Sequence, residues 1–296
     1  MEPNRRPPLR KPAWLKKNAV PSPAGLATEA LIRRFELATV CAEAGCPNRG
    51  ECHARRRAAF LAMGTVCTRT CAFCRVTCGA PSPLDPSEPE RIARAAAAFG
   101  LRHVVVTSVT RDDLPDGGAG HFARIVQALR EAVPGARVEI LVPDFGGNGD
   151  AVRELAAAGA DVVNHNLETV SRLYAVVRPQ ADYRRSLRLL ETVRSLAPPT
   201  VTKSGLMVGL GESEEEIEQA MKDLRRVECD MLTIGQYLAP SRSHYPVQAY
   251  VEPVVFDRYR STGLALGFRS VASGPFVRSS YHAENAYDTA RRDGTA

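Results

Sequence analysis

Two groups of cysteines carry the chemistry that this sequence offers. Its eight cysteines fall at positions 41, 46, 52, 67, 71, 74, 78 and 229, so seven lie within 38 residues. A secreted disulfide scaffold is short and spreads its cysteines through the fold; this chain has 296 residues and does neither. Local clustering in an enzyme-sized chain reads as metal binding. Cys67, Cys71 and Cys74 are spaced C-x3-C-x2-C in "CTRTCAFC". Thiolates select soft metals: zinc, cuprous copper or iron–sulfur clusters. A closed zinc site needs four ligands. Cys78 is the nearest offer, but no second C-x2-C follows. Three thiolates on a cubic iron–sulfur cluster would leave one iron open. Cys41, Cys46 and Cys52, in "CAEAGCPNRGEC", form a second triplet with gaps of four and five. Its fourth ligand must come from elsewhere. His53 is adjacent, but it points away from the same metal corner unless the backbone turns sharply. Cys229 reads as a small core residue.

The elements that must position these groups alternate strand and helix. Residues 1–58 are Pro-rich and irregular, with a helix expected near Glu29–Val40. Ala59–Met63 is a first apolar strand, placed just before Cys67, Cys71 and Cys74. Strands are then expected at Val104–Val106, Arg137–Val142, Asp161–Asn164, Thr200–Val208, Met231–Gly235 and Phe268–Ala272. Between them the pattern predicts helices, opened by Ser87 and by Ser213 with Glu216 three residues on, and stopped by Gly100 and Gly267. Such repetition argues a parallel α/β sheet with right-handed crossovers. Six units are too few for a closed eightfold barrel, so we expect a partial (β/α)6 barrel. Polar residues collect where the strands end, at Thr107-Ser108, Pro143-Asp144, Asn164-His165-Asn166 and Gln236-Tyr237. In α/β folds that rim is where ligands bind.

Composition excludes several classes. The formal net charge is +6, but Arg5, Arg6, Arg10, Lys11, Lys16 and Lys17 against Glu2 account for +5 of it. The basic signal is therefore one N-terminal arm rather than a nucleic-acid-binding face. No run approaches a membrane span. The N-terminus lacks the apolar segment of a secretory signal, which points to a reducing cytoplasm.

The C-x3-C-x2-C loop, with Phe73 before its third cysteine and a first strand before it, resembles that of radical S-adenosylmethionine enzymes. The resemblance implies a 4Fe–4S cluster whose open iron is chelated by the amino and carboxylate groups of S-adenosylmethionine. Reductive cleavage of the sulfonium then releases a 5′-deoxyadenosyl radical. Within that superfamily nearly the whole chain resembles the lipoyl synthase family. The resemblance takes in "GCPNRGEC", "PAWLK" at 12–16, "TSVTRDDLPDGG" at 107–118, "NHNLETV" at 164–170, "VRPQADYRRSL" at 177–187, "KSGLMVGLGE" at 203–212 and "VASGPFVRSSYHAE" at 271–284.

That resemblance implies that Cys41, Cys46 and Cys52 hold a second 4Fe–4S cluster, closed by Ser280 and dismantled to supply sulfur. The implied reaction inserts sulfur at C6 and C8 of an octanoyl chain carried on a lysine of a lipoyl-carrier protein or domain. It consumes two molecules of S-adenosylmethionine. Thr107, Ser108, Asn164, Asn166, Glu168 and Arg178 are the candidates to hold that cofactor. Arg178 meets its carboxylate or pairs with Asp182; Gly117-Gly118 approach its amino group or form a simple turn. An electron donor and a cluster-resupply protein are the further partners, with no nucleic acid and no membrane, around a monomer. The chain divides into 1–58 with the auxiliary motif, 59–250 as the barrel, and 251–296 with the serine ligand. "ECHARRRAAF" departs from the family, which has small or hydroxyl residues where Arg56 and Arg57 sit.

Overall fold

The computed structural model of the chain describes residues 9–17 and 22–292. Arg5 and Arg6 of the basic arm lie outside the described residues. The N-terminal part packs three helices, α1 (Pro23–Arg34), α2 (Val40–Glu43) and α3 (Arg49–Ala54), around the short strand β1 (Ala38–Thr39). The expected helix at Glu29–Val40 therefore starts earlier and stops sooner. Ser22 caps it by accepting from Gly25 N, and Pro23 supplies the fixed φ of a first helical position. It stops because Glu36 turns into the left-handed region, φ 51°, freeing Ala38 and Thr39 to pair.

The main sheet then builds through β2 (Ala59–Ala62), β5 (His103–Ser108), β6 (Arg137–Leu141), β7 (Val162–Asn164), β8 (Val201–Val208), β9 (Met231–Gln236) and β10 (Ser270–Gly274). Two further strands, β3 (Val66–Cys67) and β4 (Thr77–Cys78), form a separate parallel ladder around the cysteine loop. The sheet order is β1-β2-β5-β6-β7-β8-β9-β10. β1 runs antiparallel to β2, and every later pair is parallel. Crossovers run through α4 (Glu88–Phe99), α5 (Ala119–Ala132), α6 (Gly149–Ala157), α7 (Tyr174–Val177) with α8 (Tyr183–Leu196), α9 (Glu214–Arg226) and α10 (Pro253–Ala265). The order has two ends, so the fold is an open, partial α/β barrel.

Period-two alternation decides what each strand shows to which side. Phe60, Val104, Val106, Val138, Ile140, Val163, Leu232 and Ile234 belong to the core under the helices. Their neighbours Leu61, Val105, Thr107, Glu139, Leu141, Asn164, Thr233 and Gly235 line an interior cavity. Thr107, Ser108, Asn164 and Gln236 are the last residues of their strands rather than residues beyond them.

After β10 the chain turns through Arg278–Tyr281 and ends in α11 (Ala283–Arg292), a helix the sequence reading lacks. Tyr287 and Ala290 of α11 pack on Val162, Val201 and Met231, the first residues of β7, β8 and β9. The helix thus covers the β7–β9 side of the barrel at the end opposite the ligand rim. No helix among the described residues is long and apolar enough to cross a membrane.

Candidate active site

The loop of Cys67, Cys71 and Cys74 is fixed from three sides. Thr68 N donates to Thr110 O, Ala72 N to Val177 O, and Tyr245 N to Ala72 O. The His244 ring meets Cys74 O at 3.1 Å. Arg69, between two of the cysteines, is buried and makes a bidentate pair with Asp112 at 2.7 and 2.7 Å. Its Nη2 also reaches Asp144 at 2.6 Å, so the loop is clamped to the exits of β5 and β6.

Cys41 sits in α2, whose cap is Thr39, and Cys52 in α3; Cys46 N donates to Cys41 O in the turn between them. Burial pushes the Cys41 thiol up to about 12, and neighbouring Cys46 and Cys52 oppose its ionisation further. Burial likewise holds Cys52 up at about 11, with Cys46 and Glu51 adding to it. In the other triplet, burial raises Cys74 to about 12 and also raises Cys71, with neighbouring thiols of that loop adding to the rise. Each triplet thus holds thiols whose ionisation burial opposes. Cationic iron is the partner that lets such thiols ionise, so both donor sets fit a thiolate-ligated cluster. Among the described residues no three His, Cys, Asp or Glu side chains gather tightly enough for a single metal ion.

A cavity of about 650 Å³ opens between the two cysteine loops. Cys41, Cys46, Cys67, Cys71, Cys74, Thr107, Ser108, Asn164, Asn166, Glu168, Arg178 and Ser280 all line it. Cys52 does not; with Cys41 and Ser280 it lines an adjoining pocket of about 300 Å³. His53 lines neither. It is buried against α1, where its carbonyl accepts from Thr28 Oγ1 and its ring lies 3.5 Å from Glu29. Cys78 is exposed and donates to Arg69 O, while Cys229 is buried in the core. Gly117 and Gly118 do not line the cavity. They pack on Phe145 and Met63 at positive φ, as turn residues do.

Several polar atoms on this wall are buried without a partner among the described residues: Ser108 Oγ, Asn164 Oδ1, Asn166 Oδ1 and Arg178 Nε. Buried orphans are costly and call for a ligand. Arg178 Nη1 donates to Asn166 O and Leu167 O at 3.0 Å each and to Tyr174 OH at 3.2 Å. It does not pair with Asp182, which instead caps α8 by accepting from Arg185 N. Glu168 holds a left-handed φ of 65° and accepts from Asn166 Nδ2 at 2.9 Å. Burial raises its carboxyl, against the pull of Arg178, the Asn166 bond and Arg278. Thr107 Oγ1 donates to Leu141 O and keeps its accepting lone pairs. Sequence reasoning missed Arg278 and Arg69 as cavity residues. Arg278 stands two residues before Ser280 in the turn after β10.

A family model described as the radical SAM superfamily matches residues 61–224. The lipoyl synthase of Caldanaerobacter subterraneus subsp. tengcongensis is 57% identical over 283 residues, covering 96% of this chain and 99% of that one. The lipoyl synthase of Geotalea daltonii is 55% identical over 276 residues, 93% of each chain. Among solved structures, the FeFe-hydrogenase maturase HydG from Carboxydothermus hydrogenoformans superposes with a TM-score of 0.60 at 13% identity, over 90% of this chain and 64% of that one. Methylornithine synthase gives 0.56 at 17% identity, over 82% and 70%. These two share the fold. Superfamily membership implies a 4Fe–4S cluster and S-adenosylmethionine. The chain belongs to the lipoyl synthase family of radical S-adenosylmethionine enzymes.

Proposed function

We infer that this chain, acting as a lipoyl synthase, inserts sulfur at C6 and C8 of an octanoyl group held on a lysine of a lipoyl-carrier protein. We assign Cys67, Cys71 and Cys74 to the cluster that meets S-adenosylmethionine, and Cys41, Cys46, Cys52 and Ser280 to a second, sulfur-donating cluster. When bound, the first would deliver an electron that makes S-adenosylmethionine a source of a hydrogen-abstracting radical, and the second would give up sulfide. One observation carries the reading: five of the six triplet thiols and Ser280 line a single cavity, with Cys52 in the pocket beside it.

The chain's own side chains have limited but definite tasks. An unactivated C–H bond has no acidic proton and no electrophilic carbon, so acid–base groups have nothing to act on. Position and exclusion of water decide the outcome. Leu61, Val105, Leu141, Leu206 and Met207 give the cavity an apolar wall. Against it an octanoyl chain gains about 0.8 kcal/mol per buried methylene. Arg178, with its Nε unpaired, is suited to a carboxylate. Ser108, Asn164, Asn166, Glu168 and Thr107 complete the cradle proposed for S-adenosylmethionine.

The N-terminal segment 1–58 thus supplies one ligand set, 59–250 the other, and 251–296 the serine. The basic arm is a docking element for an acidic carrier. Lys11 lines the cavity and is available for this, whereas Lys17 is spent on Asn48 and Glu51 at 2.7 and 2.8 Å. The eight cysteines are all free thiols, as a reducing cytoplasm would keep them. An electron donor and a cluster-resupply protein complete the cycle around a monomer.

The test is anaerobic reconstitution, then reduction, S-adenosylmethionine and an octanoylated lipoyl domain. The expected result is 5′-deoxyadenosine and a dithiolated domain by mass. Iron and sulfide should amount to two cubanes, falling to one when Cys41, Cys46 and Cys52 are replaced together. A non-catalytic iron–sulfur carrier would cleave no S-adenosylmethionine.

A further inference from the structure

The pocket of about 300 Å³ reaches the auxiliary triplet by a second way. Its inner surface includes Cys41, Cys52 and Ser280. Its outer wall is formed by Arg55, Arg56 and Arg57, which precede β2, and by Arg102, which precedes β5. It therefore opens near the N-terminal ends of these strands, whereas the main cavity opens at their C-terminal rim.

Its charge is lopsided. The carboxylates on the wall are Glu51 and Glu284. Glu284 is shared between Arg57 at 3.1 Å and Arg102 at 3.2 Å. Glu51 stands 3.8 Å from Arg55 and is held more closely by Lys17, at 2.8 Å. Arg56 is exposed and has no ion pair among the described residues. Guanidinium groups on a concave wall favour anions and raise their local concentration.

We propose that this pocket is a port at which an anionic, thiolate-ligated cubane docks to rebuild the cluster on Cys41, Cys46, Cys52 and Ser280. The inference rests on the reading above that these residues hold a cluster that is consumed. A cubane with four thiolates is dianionic, which matches the arginine wall. Transfer is ligand exchange. Each cysteine thiol, and the serine hydroxyl, passes its proton to the donor thiolate it displaces, and iron and sulfide keep their oxidation states. Entry on this side leaves the rim to the carrier and its octanoyl chain.

The experiment uses the full chain with Cys67, Cys71 and Cys74 replaced by Ala, so that only the auxiliary triplet takes up iron. A preformed cubane ligated by 3-mercaptopropionate is compared with equal amounts of ferrous and ferric ion plus sulfide, following absorbance and bound iron. Arg56→Glu, alone and with Arg102→Glu, should slow uptake from the anionic cubane about tenfold and flatten its salt dependence. Uptake from free iron ions and sulfide should not slow. Arg56→Lys with Arg102→Lys should keep the fast rate. Equal rates from the cubane in reversed and unreversed chains overturn the port, as does equal slowing from both sources, which marks a folding lesion. A chain that takes up no auxiliary cluster from either source overturns the reading beneath, and the port with it.

Discussion

Asn166 Nδ2 donates to Ser279 Oγ across 2.7 Å, tying the loop after β7 to the turn that carries Ser280. The two residues are 113 positions apart, so the bond fixes the C-terminal tail over the cavity. Ser279→Ala removes one bond worth about 1 kcal/mol. The expected outcome is a slightly lower melting temperature, retained S-adenosylmethionine cleavage and a reduced product yield. Ser280→Ala should leave the melting temperature near wild type and cleavage intact, yet abolish dithiolated product. Wild-type product yield from Ser280→Ala in a single-turnover assay would remove Ser280 from the ligand set.

Gly235 is set against the same turn from the other side. A Cβ there would run into the Val277 carbonyl oxygen and would lie 3.1 Å from Arg278 Nη1. Backbone cannot swing aside as a side-chain tip can, so Gly235→Ala must push the 277–280 turn outward. Overpacking of this kind costs about 1–3 kcal/mol. Bound iron should fall toward one cubane per chain while S-adenosylmethionine cleavage survives. Gly274→Ala is the control, since its added Cβ meets only Val277 Cγ2 at an ordinary 3.4 Å. Equal iron loss in both variants would refute the steric account.

Some of this site was open to reading in the chain and some was not, for physical reasons. Cysteine spacing is local, and so are the strand signals, which is why β2 and the loop after it stood out. Arg69 was invisible because its partners Asp112 and Asp144 are 43 and 75 residues away. The start of α1 is hidden because Ser22-Pro23 reads as loop chemistry in sequence and becomes a cap only through its bond to Gly25 N. α11 carries only a faint signal. Ala283, Tyr287 and Ala290, at spacings of four and three, make its buried face. Two of the three are alanines, so the stripe hardly stands out from its polar neighbours.

Arg69 gives the cysteine loop its anchorage, and Asp144 shows how firmly. Burial alone would raise the Asp144 carboxyl, but the Arg69 bond and charge, with His165 and Arg185 behind, hold it at about 2. The ordinary value is about 3.9, so this depression stabilises the fold by about 2.5 kcal/mol at neutral pH. That stability is present above pH ~4 and is lost as pH falls toward ~2, where the carboxyl protonates in the folded state too. Arg69→Gln leaves Asp144 buried with Arg185 at 2.8 Å as its remaining ion pair. The cost should be about 3–5 kcal/mol by urea unfolding at pH 7, with a flatter slope between about pH 4 and 2. An unchanged acid limb would show that Asp144 is not the group titrating there.

The charges deeper in the barrel invite a test of fold against function. Lys203 Nζ meets Glu139 Oε1 at 2.7 Å, and both side chains are fully buried. The His103 ring lies 3.1 Å from the other oxygen. Burial pushes the Glu139 carboxyl up, but Lys203 and His103 overcome it and hold it at about 2. A buried pair is expensive to break and often cheap to replace. Lys203→Met strands the carboxylate, and Glu139→Leu strands the ammonium; each should cost about 3–5 kcal/mol. Lys203→Met with Glu139→Leu should recover most of that loss, which a double-mutant cycle in urea measures directly. Glu139 also lines the main cavity. If the pair only holds the fold, the stable double variant keeps its product yield with the octanoylated domain. A double variant that is stable, cleaves S-adenosylmethionine and yet makes no dithiolated product would instead give these charges a part in seating the acyl chain.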